Sequence, residues 1–279
     1  MNDYASTFLN SSIAKDDPQA FLGVLFLFLA RFFPIMSQVP FFGSRVLPRP
    51  VKVCFGLTVF IIFLPHLLTV MKEPVGFNLT LMTLMAKEFF IGTLLGYMLS
   101  LPFLVVQSAG IFIDHQRGGA SLMVNDPTIQ NQSSPLGTLF NYILIVLFFA
   151  IDGLPRVFEI LMNSFTILPP DKMLAPSFFA ANSAFWDMQI GLFNKFMILS
   201  IQMATPALLI ILMTDVFLGI ANRLAPQVQI TFLGMPLKSL LGLMIIWFGF
   251  YIFKDDMVKQ LVMWIHIVSD LITFFVPIS

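Results

Sequence analysis

The sequence predicts an all-α membrane protein, built from polytopic helices and helical hairpins. Three observations carry that expectation. The 279-residue chain is 58% hydrophobic and only 11% charged, with a mean hydropathy of +0.89. A soluble domain is roughly 45–50% apolar and about 25% charged. The apolar residues fall in long runs, and a spanning helix needs about 20 of them. Those runs are continuous, whereas a transmembrane barrel alternates apolar and polar residues. In lipid the backbone must satisfy its own hydrogen bonds, so continuous runs imply helices.

In chain order, the apolar stretches lie near 20–42, 52–71, 78–107, 136–168, 188–220, 236–253 and 257–278. Several exceed one span and contain proline or glycine, which implies six to eight crossings or hairpins. The polar start, MNDYASTFLNSSIAKDDPQA, has no positive leader region. The first apolar segment is therefore expected to stay in the mature chain. No soluble domain is visible, so residues 1–279 read as a single integral-membrane domain. The longest polar loop runs from about 108 to 135.

Charge and motif content narrow the function. Fifteen basic and fifteen acidic residues give a net charge of zero, so nothing favours nucleic acid. Cys54 is the only cysteine, which precludes an intrachain disulfide. His66, His115 and His266 are far apart, and no HExxH, CxxC or GxSxG pattern occurs. The expectation is a non-enzyme with no cofactor and no metal.

Several apolar runs nevertheless carry ionisable residues: Arg31, Lys87, Glu88, Asp152, Lys195 and Asp215. Each costs about 2.5–3.5 kcal/mol at a helix centre on insertion scales. Arg31, Lys87, Glu88, Asp152 and Asp215 are thus expected to be buried charges serving helix or subunit packing. Lys87 and Glu88 are adjacent, so they are expected to face different ways, each with its own partner on another helix. Gly92 and Gly96 form a GxxxG ridge for close helix approach.

Two polar stretches stand out. QSAGIFIDHQRGGASLMVNDPTIQNQSSPLG, 107–137, is too polar to cross lipid. It is too apolar at Ile111, Phe112, Ile113, Leu122 and Met123 to float free. Gly118 and Gly119 permit close backbone approach. An ordinary connection and a loop folded back into a cavity both fit. Asp114, His115 and Arg117 show no nucleophile-and-base pattern. RLAPQVQITFLGMPLKSLLG, 223–242, interrupts apolar runs with Arg223, Gln227, Gln229 and Lys238. Its Pro226 and Pro236 limit helix continuity. A special role and a plain interhelical loop both remain open on physical grounds. The 17 Met and 33 Phe suit apolar cores and lipid-facing surfaces, and Met adapts to irregular partners.

Three stretches together resemble one family: RFFPIMSQVPFFGSRVLPRPVK at 31–52, AGIFIDHQRGGASLMVNDPTIQNQSSPLG at 109–137, and ANRLAPQVQITFLGMPLKSLLGL at 221–243. They are similar to the FliR/SctT (YscT/SpaR) family of type III secretion export apparatus components. The IDHQRGG…SSPLG version is closer to the virulence injectisome branch. The resemblance implies a structural pore-forming subunit in a cone-like export gate, with a FliP-like part and a FliQ-like hairpin over about 188–278. It implies multi-pass residence in the bacterial inner membrane, within the basal body. The implied partners are FliP-type (SctR), FliQ-type (SctS), FlhB-type (SctU) and FlhA-type (SctV) subunits, membrane lipid and, transiently, unfolded secretion substrates.

It further implies a plug-like loop at 107–135, with Ile111, Phe112, Ile113, Gly118, Gly119, Leu122 and Met123 as candidate gate residues. Arg223, Pro226, Gln227, Gln229, Pro236 and Lys238 would form the hairpin tip and subunit contacts. The alternative is an ion-coupled secondary transporter using Lys87, Glu88, Asp152 and Asp215 around a midplane site. No repeat of the whole chain supports it.

Overall fold

The computed structural model describes residues 18–42, 48–71, 75–118, 134–175, 178, 184–224 and 230–273. These residues form eight helices: α1 (Pro18–Gln38), α2 (Arg49–Val70), α3 (Leu79–Gln116), α4 (Pro135–Ala150), α5 (Gly153–Ile167), α6 (Ala184–Leu224), α7 (Ile230–Phe248) and α8 (Phe250–Ile272). The fold is all-α. α1, α2, α3 and α6 are each long and apolar enough to cross a membrane. The α7–α8 pair reaches that length together, with a 67° bend at its break. The chain is a multi-pass membrane protein.

The chain divides into two compact units. The first holds Met1–Ser100, Asp152–Ile190 and Met263–Ser279. There α1 packs on α2, and α2 on α5. α2 contributes a stripe of Gly56, Val59, Phe60, Phe63 and Leu67. α5 contributes Val157, Ile160, Leu161, Ser164 and Phe165. Both stripes follow the 3.6-residue period of a helix that buries one face. Phe28 of α1 lies at their junction, 5.6 Å from Phe60, 5.8 Å from Phe63 and 5.6 Å from Phe165. Such ring pairs add about 0.5–1.5 kcal/mol beyond the area they bury. The predicted glycine ridge is used here. A Cβ on Gly92 would lie 2.2 Å from the Arg31 carbonyl oxygen, and one on Gly96 2.9 Å from the Ile35 Cα. α1 therefore crosses α3 nearly backbone to backbone.

The second unit holds Leu101–Ile151 and Gly191–Val262. α4 starts cleanly: Ser134 caps it by accepting from the Gly137 N–H, and Pro135 occupies the first turn, where a missing N–H costs nothing. α4 meets α3 at a glycine pair, since a Cβ on Gly110 would lie 2.4 Å from the Gly137 nitrogen. Phe103 and Phe148 meet at 5.8 Å, and Phe140 and Phe253 at 4.8 Å.

Two expectations about boundaries are corrected, and the long apolar stretch 136–168 divides into two helices. α4 ends at Ala150, and Asp152 adopts φ +55° ahead of α5. Asp is among the few non-glycine residues that enter the left-handed region. The polar stretch expected as loop from about 107 is helical to Gln116. Its buried Leu101, Val105, Ala109 and Ile113 recur every fourth residue, so one apolar face outweighs the intervening polar residues. Pro236 does not end a helix, because α7 begins at Ile230 and runs through it. One backbone hydrogen bond is lost there, and the helix bridges the gap.

Candidate functional site

The polar chemistry of the described residues concentrates in three places. The first is a buried charge cluster in the first unit. Arg31 and Glu88 are both fully buried. The Arg31 Nε donates to Glu88 Oε2, and an Nη donates to Oε1 at 2.8 Å, giving a two-pronged pair. The remaining Arg31 donors reach Ser164 Oγ at 3.1 Å and the Leu168 carbonyl at 2.9 Å. Its guanidinium also lies 4.1 Å from the centre of the Phe165 ring, a cation–π contact. Lys87 donates to the carbonyls of Pro169, Pro170 and Lys172 at 3.1, 3.1 and 2.7 Å.

The two cations thus serve backbone carbonyls of residues 168–172, the turn that follows α5. Lys87 also lies 2.6 Å from Glu88 Oε1. The expectation that these neighbours do not pair is therefore wrong. Both side chains are buried, and the long lysine stem curls round to the same place. Each does keep a second partner from another segment.

The second place is Asp114, 1% exposed. Arg117 bonds its Oδ1 twice, through Nε at 2.8 Å and an Nη at 2.6 Å. Its Oδ2 accepts from the Ser134 hydroxyl and from the Leu136 N–H at 2.9 Å. One carboxylate thus ties the end of α3 to the start of α4. The third Arg117 nitrogen donates to Ser239 Oγ on α7 at 3.2 Å. Gly118 follows at φ +92°, a conformation open to glycine.

The third place is the α6–α7 hairpin. Lys238 pairs with Asp215 beside an open cleft of about 270 Å³, also lined by Leu218, Gly219, Asn222, Gly234 and Met235. The pair is partly exposed, at 22% and 38%. The outer faces of this hairpin are strongly apolar. Val216, Phe217, Ile220 and Leu224 on α6, with Leu240, Trp247 and Phe248 on α7, are all more than half exposed.

A profile described as "Bacterial export proteins, family 1" matches residues 22–262 of this chain. The chain belongs to that family. It is 29% identical over 200 residues to the Yop proteins translocation protein T of Yersinia pestis, covering 71% of this chain and 73% of that protein. It is 27% identical over 232 residues to the surface presentation of antigens protein SpaR of Salmonella typhimurium, covering 83% and 84%. It is 28% identical over 216 residues to the flagellar biosynthetic protein FliR of Pectobacterium carotovorum, covering 77% and 79%. Membership in the FliR/SctT family of type III secretion export apparatus components follows.

Within this export-family chain the anticipated residues divide unevenly. Arg31, Lys87 and Glu88 are brought together. Asp152 is exposed, so it is not a buried charge in this chain: its position at the α4–α5 junction turns it outward. Asp215 is half-buried and paired. Ile113 is buried, and Ile111 and Phe112 are half-buried on α3 rather than in a loop. Arg223 is exposed in the last turn of α6, while Pro236 is exposed and Lys238 half-buried on α7. Gly119, Leu122, Met123, Pro226, Gln227 and Gln229 lie outside the described residues. Ser134, Ser164 and Ser239 were not anticipated. Of these, only Ser134 carried a local signal, as a serine directly before a helix-starting proline.

Proposed function

We propose that this chain is a structural, pore-forming subunit of a type III secretion export gate in the bacterial inner membrane. It helps to conduct and seal a path for unfolded secreted proteins. The family match over residues 22–262 carries the reading. The broad apolar faces of α6 and α7 support it, since surfaces of that size need lipid or protein cover. FliP-type (SctR) and FliQ-type (SctS) subunits are the proposed cover. FlhB-type (SctU) and FlhA-type (SctV) subunits lie further along the same path. The proposed branch is the virulence injectisome, on the IDHQRGG…SSPLG version at 113–137.

Residues 107–135 contribute the seal in this reading. The Asp114 hub supports it, because a closing segment needs fixed ends. Deleting residues 118–124 should raise the leak of small ions through membranes that hold the assembled complex. Assembly is scored in parallel. An unchanged leak with full assembly counts against the seal.

A further inference from the structure

α7 is held from two sides at neighbouring residues. Lys238 pairs with Asp215 of α6, and Ser239 accepts from Arg117 at the end of α3. Arg117 also bonds Asp114, which in turn accepts from Ser134 and Leu136 at the start of α4. The chain of contacts Ser134–Asp114–Arg117–Ser239 therefore joins three helices, and its next neighbour on α7 reaches the fourth.

We infer that Asp114 is a positioning residue that couples the two ends of the 119–133 segment to the α6–α7 hairpin, acting through Arg117. The donor fork of arginine is rigid and planar. Two of its nitrogens are fixed on Asp114 Oδ1, so the carboxylate sets where the third one points. Asp114 is 1% exposed, and water cannot replace Arg117 at low cost. The same two elements also pass close to each other at Gly118, where an added Cβ would lie 3.8 Å from Met235 Cγ. Loosening either end of this relay is therefore felt at the other, since coupling between two sites is reciprocal. A simple loop-base staple would confine each effect to its own end.

The inference goes beyond the export reading and does not rest on it. Hydrogen exchange with mass spectrometry, on the full chain in its native complex, tests it. Asp114→Asn should speed exchange about twofold or more in α7 around residues 235–241. Ser239→Ala should do the same at 111–118. Should the Asp114 variant fail to accumulate, Arg117→Lys keeps a charge but loses the fork, and the same rise in α7 is expected. An effect of Asp114→Asn confined to α3 and α4, or no response of α3 to Ser239→Ala, overturns the coupling. The leak of the 118–124 deletion is a separate readout, so the relay and the seal fail independently.

Discussion

Glu88 sits between two cations, and both of its oxygens are taken, by Arg31 and by Lys87. A transported ion would need to displace one of them. A structural pair has no such need, and this favours packing over the transporter reading. Removing one member of a buried pair typically costs about 3–5 kcal/mol, because the partner stays buried and uncompensated. Glu88→Gln should therefore cut accumulation and complex assembly, as read by quantitative blotting and native gels. A transporter would instead keep full expression and lose only transport. Replacing Arg31 by Met together with Glu88 by Leu should restore more protein than Glu88→Leu alone, since Lys87 is then the one cation of the cluster left without its counter-charge. The charges of this cluster were legible in the sequence, because ionisable residues in apolar runs must be paired. Their partners were not. Ser164 and the Leu168 carbonyl lie 133 and 137 residues from Arg31, and no local pattern encodes such a distance.

Helix packing shows the same division between local and distant information. The Gly92–Gly96 ridge was legible because its four-residue spacing is itself the signal. The Gly110–Gly137 crossing was not, because each helix offers one glycine and the pairing is tertiary. Both crossings are tight. Gly92→Ala puts a methyl 2.2 Å from a backbone oxygen, and Gly110→Ala puts one 2.4 Å from a backbone nitrogen. Each should cost several kcal/mol and lower the melting temperature of the detergent-solubilised protein sharply. Gly191→Ala is the control: nothing lies within 4 Å of its Cβ, and it should be neutral or stabilise by up to about 1 kcal/mol. Helix ends were the weaker part of the sequence reading. Residues 107–116 read as loop because Gln107, Ser108, Asp114, His115 and Gln116 make the stretch polar at both ends. The apolar face through Val105, Ala109 and Ile113 decided the matter. Pro236 misled for the opposite reason: one lost hydrogen bond is a modest penalty inside a long apolar helix.

At the scale of the whole molecule, composition alone fixed the class, and the motif order pointed to the family that the match over 22–262 establishes. The proposed gate residues were less legible, because a wall shared by several chains leaves only part of its pattern in any one of them. The exposed apolar faces of α6 and α7 are surfaces of a size that needs lipid or protein cover. Native mass spectrometry of the tagged protein, extracted from its own membrane in mild detergent, tests the central claim most directly. The account predicts a large stable particle that contains FliP-type and FliQ-type subunits. A monomer or homodimer, under conditions that preserve other membrane complexes, would contradict it.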